Sequence, residues 1–406
     1  MEMVLEFLRD VLSQPALLIG IMSCIGLIAL KRPFHKVMTG TLKPILGYLM
    51  LAAGAGVIVN NLDPLGKMIE HGFHITGVVP NNEAIVAVAQ KVLGVETMSI
   101  LVVGLLMNLC IARFTKFKYV FLTGHHSLFM ACLMSAVLGT AGLSGMELIL
   151  VGGFLMGAWS AISPAIGQSY TSKVTDGDEI AIGHFGSLGY YLSAWVAQYV
   201  GKAEDSTEDI EIPEKWGFLR DSTLSTALTM IVFYLIAAIA AGSEFVSTLS
   251  GDMSPYLYAV MSAMNFAVGV TIVYSGVRMI LGDLIPAFQG IATKIIPNAI
   301  PAVDCAVFFT YAPTAVVLGF LSSFIGGIIG MLILGAVGGV LIIPGLVPHF
   351  FCGATAGIYG NATGGRRGAA VGAFLNGLAI TFLPALALPV LGQLGFQNTT
   401  FGDADF

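Results

Sequence analysis

Residues 305–365 read CAVFFTYAPTAVVLGFLSSFIGGIIGMLILGAVGGVLIIPGLVPHFFCGATAGIYGNATGG, a run of 61 residues without Asp, Glu, Lys or Arg. A helix needs about 20 consecutive apolar residues to cross a bilayer, so this run can hold at least two membrane segments. The whole chain has the same character: 56% of its 406 residues are hydrophobic and 10% are charged. Soluble domains carry about 25% charged residues. The composition therefore predicts that lipid surrounds most of the chain.

Uncharged stretches on both sides of this run predict further membrane segments. Counting them gives an all-α, polytopic membrane protein with about ten membrane segments, some of them re-entrant hairpins that do not cross. The stretches are Val11–Leu30, Pro44–Leu62, Thr97–Ala112, Tyr119–Met146, Leu148–Ser172, Ile180–Gly201, Ser222–Ser243, Met253–Val277 and Gly368–Gly402.

Basic residues in the loops predict the orientation, because cytoplasmic loops carry an excess of Lys and Arg. Basic clusters follow the first and the third segment and place the N-terminus outside the cytoplasm. The charged loop 202–221 falls on the cytoplasmic side only if Ile180–Gly201 is re-entrant; the alternative is an ordinary span and a loop on the other side. The clusters are Lys31, Arg32 and Lys36, then Arg113, Lys116 and Lys118.

A weak internal repeat relates the two halves of the chain. Residues 43–47 (KPILG) are echoed by 278–282 (RMILG), residues 79–84 (VPNNEA) by 312–315 (APTA), and residues 121–124 (FLTG) by 342–345 (IIPG). The separations all lie near 220–235 positions. Repeats with broken helices at matching places are typical of transporters that bind their substrate between the repeats, and we expect an inverted repeat here.

Ionisable side chains inside membrane segments are costly and mark functional sites. Asp304 stands at the head of the longest uncharged run, and His125 and His184 each follow a glycine. A carboxylate accepts hydrogen bonds from sugar hydroxyls, and an imidazole can donate and accept. We expect these three side chains to share one ligand pocket. The alternatives are that Asp304 caps a helix and that His125 lies at the membrane interface.

Asn82 and Glu83 lie in the proline-containing loop 80–83 and are further candidates for ligand contacts. A solvated loop acid is the alternative reading of Glu83.

The sequence carries no pattern for nucleotide, metal or nucleic-acid chemistry. It has no GxGxxG or GxxxxGK[ST] motif, its five cysteines are scattered without metal-ligand spacing, and its basic clusters are small. We therefore predict no catalytic residue, no cofactor, no metal and no nucleic acid.

Nine motifs along the chain resemble the ascorbate-specific phosphotransferase system permease family, the membrane (IIC) components of these systems. The resemblance covers essentially the whole chain. The motifs are GTLKPILGY (40–48), AGAG (53–56), LTGH (122–125), VTDG (174–177), IGH (182–184), GVRM (276–279), AVDCA (302–306), APTAVV (312–317) and IIPG (342–345).

The resemblance implies a homodimer in the bacterial plasma (inner) membrane. Each chain is a single IIC domain (1–406), whose mobile core and scaffold are interleaved in sequence and which moves its cargo by an elevator-type shift. The cargo is an ascorbate-like sugar or sugar acid. Cytosolic IIB, itself charged by IIA, phosphorylates the cargo at the expense of phosphoenolpyruvate, so the membrane subunit is not itself the catalyst. Membrane lipid is the other expected contact.

Carried over by motif, the ligand-contacting positions are His125, His184, Asp304, Asn82 and Glu83. Phe185 occupies the place of a glutamine in the family, which implies an apolar wall and a ligand less polar than ascorbate, or shaped differently.

The family usually has one more helix after the segment TTFGDADF (399–406), and we expect that helix to be absent here. One competing function is an ion-coupled secondary transporter of the same architecture, in which Asp304 and the histidines handle protons or Na⁺. The other is a structural or channel-like membrane protein.

The predicted topology can be tested by labelling single cysteines in intact cells. Cysteines replacing Lys36 and Ser206 should resist a membrane-impermeant maleimide and react after permeabilisation, since both loops are expected inside. Rapid labelling of either site in intact cells would show that the assigned orientation is wrong.

Overall fold

A computed structural model describes residues 10–11, 14–74, 77–78, 80, 82–177, 179–210, 222–393 and 400–403. Most of these residues are helical, and three short strands interrupt the helices. The elements in chain order are α1 (Pro15–Ala29), α2 (Phe34–Phe73), α3 (Asn82–Phe114), β1 (Tyr119–Phe121), α4 (Gly124–Thr140), α5 (Gly145–Thr175), β2 (Ala181–Ile182), α6 (Ser187–Val200), α7 (Ser222–Ala241), α8 (Ser243–Ser250), α9 (Pro255–Lys294), β3 (Ile300–Val303), a 3₁₀ helix (Cys305–Thr310), α10 (Pro313–Ala336) and α11 (Leu346–Gln393).

Within the described residues, six helices are long and apolar enough to cross a membrane, or seven if the bent pair α7 and α8 forms one span. Helix α11 is one of the six, although its backbone leaves the helical conformation at Gly364 and Gly365. The structure thus confirms a polytopic, mainly helical membrane protein. The count of about ten segments stays a prediction.

Helices α2 and α9, each 40 residues long, cross in contact through glycines. A Cβ placed on Gly47 would lie 2.9 Å from the carbonyl oxygen of Gly276, and one on Gly54 would lie 2.7 Å from that of Gly269. Small residues allow such close approach of helix backbones in membranes. The crossing is antiparallel, because the earlier glycine of α2 meets the later glycine of α9.

The glycine contacts define an internal symmetry between the two halves. Gly47 and Gly269 are 222 positions apart, and so are Gly54 and Gly276. Gly47 contacts Gly276, and Gly54 contacts Gly269. Exchanging the halves therefore reproduces the crossing. Such an arrangement is the expected sign of an inverted repeat.

The three strands form a parallel sheet in the order β1-β3-β2. Strand β3 of the second half lies between two strands of the first half, with Tyr119 paired to Ile300 and Ile182 paired to Val303. In the other direction, Val78 of the first half forms a parallel bridge with Ile342 of the second half. Each half thus lends an extended segment to the other.

The bridges correct the register of the repeat predicted from sequence. Val78 corresponds to Ile300 at a separation of 222, and Tyr119 corresponds to Ile342 at 223. The third sequence echo, residues 121–124 with 342–345, has this separation. The first two echoes were wrong by about a dozen positions, because short apolar strings recur by chance in a chain with 50 glycines. Pro80 corresponds to Pro301 rather than to Pro313.

The segment from β2 to α6 begins and ends at the same end of the molecule. Residues 175–177, 179 and 180, just before β2, line a cavity of about 290 Å³ together with Tyr311. The loop after α6 reaches the same region, where the Glu208 carboxylate accepts hydrogen bonds from the hydroxyl (2.9 Å) and the backbone N–H (3.1 Å) of Thr314. This geometry is compatible with a re-entrant segment 180–201, which stays a prediction, as does the cytoplasmic side of the loop. Residues 211–221 of that loop lie outside the described residues.

A matched pair of glycine substitutions in α9 tests the helix crossing. Gly276→Ala places a Cβ 2.6 Å from the Gly47 carbonyl oxygen, and such overpacking should lower the free energy of unfolding by about 1–3 kcal/mol. Gly282→Ala in the same helix meets nothing within 4 Å and should be neutral or stabilising by about 0.5–1 kcal/mol. Thermal unfolding of the purified variants in detergent measures both. Equal effects at the two positions would contradict the close crossing.

Candidate functional site

The carboxyl ends of the three parallel strands meet at one edge of the small sheet. The residues that follow each strand include the candidates from the sequence: His125 and His126 follow β1, His184 follows β2, and Asp304 follows β3. Ile182 is paired with Val303. His184 comes two residues after Ile182, and Asp304 comes one residue after Val303, so the two side chains start from neighbouring strand ends. The structure thus brings together the three segments that the sequence singled out.

His126 and His184 form the centre of this cluster. Their ring centroids are 3.7 Å apart, and both residues are buried. The Tyr190 hydroxyl lies 2.9 Å from Nδ1 of His184, which also accepts a hydrogen bond of 3.1 Å from the backbone N–H of Gly186. These partners fix the orientation of the His184 ring.

Asp304 caps the 3₁₀ helix that follows it. Its Oδ1 accepts a hydrogen bond of 3.0 Å from the backbone N–H of Ala306. Capping was the alternative reading of this residue, and the structure shows it. It does not exclude ligand binding, because an ionised carboxylate has two oxygens and can accept several hydrogen bonds. The residue is 7% exposed.

Three other candidates from the sequence have different positions. His125 stands in the first turn of α4 and Glu83 in the first turn of α3, but both side chains lie outside the described parts. Phe185 is fully buried and stacks on Phe121 with ring centroids 4.7 Å apart. Its backbone N–H donates to Nδ1 of His126 at 3.4 Å. Phe185 thus contacts His126, and its role as an apolar wall of the ligand pocket stays a prediction.

Asn82 participates in a part of the site that the sequence did not predict. Its amide nitrogen donates to Oδ2 of Asp403 at 2.6 Å, and its amide oxygen accepts from the backbone N–H of Gly402 at 2.9 Å. The Cys352 thiol donates to Oδ1 of Asp403 at 2.8 Å. Asp403 and Cys352 are buried, so a second carboxylate belongs to this interior cluster.

The group around His184 and the group around Asp403 are adjacent. Ligand-capable atoms of His184, Cys352 and Asp403 all lie within 4.8 Å of one another. Cys305 directly follows Asp304 in the chain and is also buried. The interior therefore holds two imidazoles, two carboxylates and two thiols in one region.

A signal for Asp403 was present in the sequence. Ile182-Gly183-His184 and Phe401-Gly402-Asp403 are 219 positions apart, and each places an ionisable residue after a glycine. With the repeat at its structural separation of about 222, Asp403 becomes the counterpart of His184, and Asn82 the counterpart of Asp304. Tyr190 and Cys352 gave no signal, since aromatic and thiol side chains in apolar helices usually pack in the core.

This arrangement suits a small ligand with several hydroxyl groups. Carboxylates accept hydrogen bonds from hydroxyls, and imidazoles donate to or accept from oxygen. Buried polar groups of this kind are costly unless they are paired with each other or with a ligand.

Comparison with known proteins identifies the family. The sugar-specific permease component of the phosphotransferase system matches residues 10–405 of this chain. The chain belongs to this permease family. The protein is accordingly a multi-pass protein of the bacterial inner membrane, as the sequence predicted.

One characterised relative is similar to most of this chain. The ascorbate-specific phosphotransferase system EIIC component of Mycoplasma pneumoniae is 27% identical over 417 aligned residues, which cover 88% of this chain. The chain spans 62% of the length of that relative.

Replacing Asn82 tests the contacts around Asp403. Asn82→Ala removes the amide that donates to the buried Asp403 carboxylate, and leaving that group short of a donor should lower the free energy of unfolding by about 1–3 kcal/mol. Asn61→Ala is the matched control, because the Asn61 amide only donates to the Val57 carbonyl of its own helix. Chemical unfolding of the purified proteins measures the difference. A smaller loss for Asn82→Ala than for Asn61→Ala would contradict the assigned contact.

Proposed function

We propose that this permease binds an ascorbate-like sugar or sugar acid and delivers it to cytosolic IIB, which phosphorylates it in a phosphoenolpyruvate-dependent uptake system. The observation that carries the proposal is the meeting of His184 with Asp403 and Cys352 beside the ends of the interleaved strands. Family membership and the name of the Mycoplasma relative supply the substrate class. Homodimeric assembly and the partners IIB and IIA belong to the same proposal.

The proposed pocket lies between His126, His184 and Asp304, with Asn82 and Asp403 on its other side. His125 and Glu83 are included by their places in the chain. Carboxylates would accept from the ligand hydroxyls, while an imidazole N–H would donate to an anionic or enolic oxygen. In this scheme the membrane subunit binds and positions the sugar, and the phosphoryl group arrives on IIB.

The division of the helices supports an elevator-type movement. Helices α2 and α9 cross through glycines, and we assign them with α1 and α7 to the scaffold. The strands and the helices that follow them form the core. An apolar cleft of about 420 Å³ lies between α1 and α9 on one side and the end of α3 on the other, lined by residues such as Met22, Leu109 and Ile295. An apolar seam has few hydrogen bonds to break when one group slides along the other.

An ion-coupled transporter is the second candidate, because buried carboxylates and imidazoles can also carry protons or Na⁺. Uptake of radiolabelled ascorbate into right-side-out membrane vesicles separates the two functions. We expect uptake only when enzyme I, HPr, IIA, IIB and phosphoenolpyruvate are all supplied on the cytoplasmic side, with phosphorylated product inside. Uptake driven by an imposed proton or Na⁺ gradient without these proteins would favour the second candidate and overturn the first.

Two substitutions in the pocket test its location. Asp304→Asn keeps the size of the side chain and removes its charge, and His184→Ala removes the imidazole. Each should weaken ascorbate binding by about 1–3 kcal/mol, the contribution of a charged hydrogen bond. Calorimetric titration of the purified protein measures the change.

Asp283→Asn and His35→Ala are the matched controls for these two variants. Asp283 pairs with Lys43 at 3.6 Å in the proposed scaffold, and His35 is exposed. Unchanged affinity in both pocket variants, or equal losses in the controls, would place the pocket elsewhere.

A further inference from the structure

His184, Cys352 and Asp403 form a buried triad of potential metal ligands. Their ligand atoms lie within 4.8 Å of one another, and none of the three residues is more than 4% exposed. They come from three distant parts of the chain, the end of β2, helix α11 and segment 400–403. We propose that this triad binds one divalent d¹⁰ transition-metal ion of the Zn²⁺ class.

The donor set selects the type of cation. Imidazole nitrogen and thiolate sulfur are ligands that Zn²⁺ favours, whereas Ca²⁺ and Mg²⁺ require oxygen ligands almost exclusively. Three protein ligands also leave one tetrahedral position for water or a ligand oxygen.

The charges of the triad balance those of the cation. A thiolate and a carboxylate together carry two negative charges, and the neutral imidazole carries none. A divalent cation on these ligands makes the site neutral, which matters because an uncompensated charge inside a membrane protein is costly. Binding replaces the S–H bond of Cys352 by a metal–sulfur bond and releases that proton to solvent.

Hydrogen-bonding partners already orient two of the ligands. The Tyr190 hydroxyl lies 2.9 Å from Nδ1 of His184. Metal binding through Nε2 places the ring proton on Nδ1, where it would donate to this hydroxyl in place of the hydrogen bond that Nδ1 accepts from Gly186. The Asn82 amide donates to Oδ2 of Asp403 at 2.6 Å, so Oδ1 is directed to Cys352. Metal-binding histidines and carboxylates typically have such partners in their outer shell.

The distance between Cys352 and Asp403 must also change. Sγ of Cys352 and Oδ1 of Asp403 are 2.8 Å apart in their hydrogen bond. Metal–sulfur and metal–oxygen distances of about 2.3 and 2.0 Å at a tetrahedral angle put the two atoms about 3.5 Å apart. Loss of the thiol proton removes this hydrogen bond and allows the two side chains to separate by the required distance.

Co²⁺ is the probe for the experiment, because a cobalt–thiolate bond gives a near-ultraviolet absorption band. Titration of the purified wild-type protein, without any sugar, should produce this band at one equivalent of Co²⁺, and Zn²⁺ should abolish it. Cys352→Ser should lose the band, and its affinity for Zn²⁺ should fall by about 100-fold or more, since even outer-shell changes cost 10–100-fold.

Cys305→Ser is the matched control. Cys305 is the other buried thiol of the cluster, and it is not one of the three proposed ligands. This variant should retain the band and the wild-type affinity. Asp403→Asn provides a second test if Cys352→Ser does not fold, as judged by gel filtration and thermal unfolding, and it too should weaken Zn²⁺ binding by about 100-fold.

Three results would overturn the proposal. They are absence of the band in the wild type at saturating Co²⁺, persistence of the band in Cys352→Ser or of full affinity in Asp403→Asn, and equal loss in Cys305→Ser. Because metal binding is measured without IIB, phosphoenolpyruvate or sugar, its outcome is independent of the transport assay.

Discussion

The architecture depends on the pairing of backbone groups deep inside a membrane protein. Non-helical backbone is tolerated at membrane depth only where protein or water satisfies its hydrogen bonds. Here strand β3 supplies them: the Leu122 N–H donates to the Ala302 carbonyl, and the Gly183 N–H donates to the Val303 carbonyl. Helices can therefore stop inside the molecule, and the residues at these ends can carry polar side chains.

The same pairing ties the two halves of the chain together. Strand β3 of the second half is held between β1 and β2 of the first, and Val78 of the first half bridges Ile342 of the second. His126, His184 and Asp304 follow after the three strands, so the geometry of this part of the cluster is set by backbone contacts as well as by side-chain packing. Gly183 illustrates the constraint, because a Cβ there would lie 2.5 Å from the Ala302 carbonyl oxygen.

Much of the fold could be predicted from composition, since a run of 61 residues without Asp, Glu, Lys or Arg is typical of membrane-embedded segments. Asp304 and His184 were predictable because ionisable groups in apolar runs are unusual. The strands were not, because segments of two to four residues carry no periodicity. Asp403 was missed since it lies beyond the last apolar stretch, and its role depends on a fold that brings it to Asn82. The repeat was recognised, but its register required the bridges that only the structure shows.

The inverted repeat has a consequence for how a ligand is oriented. Positions related by the repeat carry different chemistry: His184 corresponds to Asp403, and Asp304 corresponds to Asn82. His126 corresponds to His349, which instead pairs with Ser323 at 2.8 Å. A pocket between such halves has a symmetric backbone but a polar side-chain pattern without symmetry. In the proposed pocket, a molecule turned end over end would meet acceptors where it needs donors, so we expect the cargo to bind in one orientation.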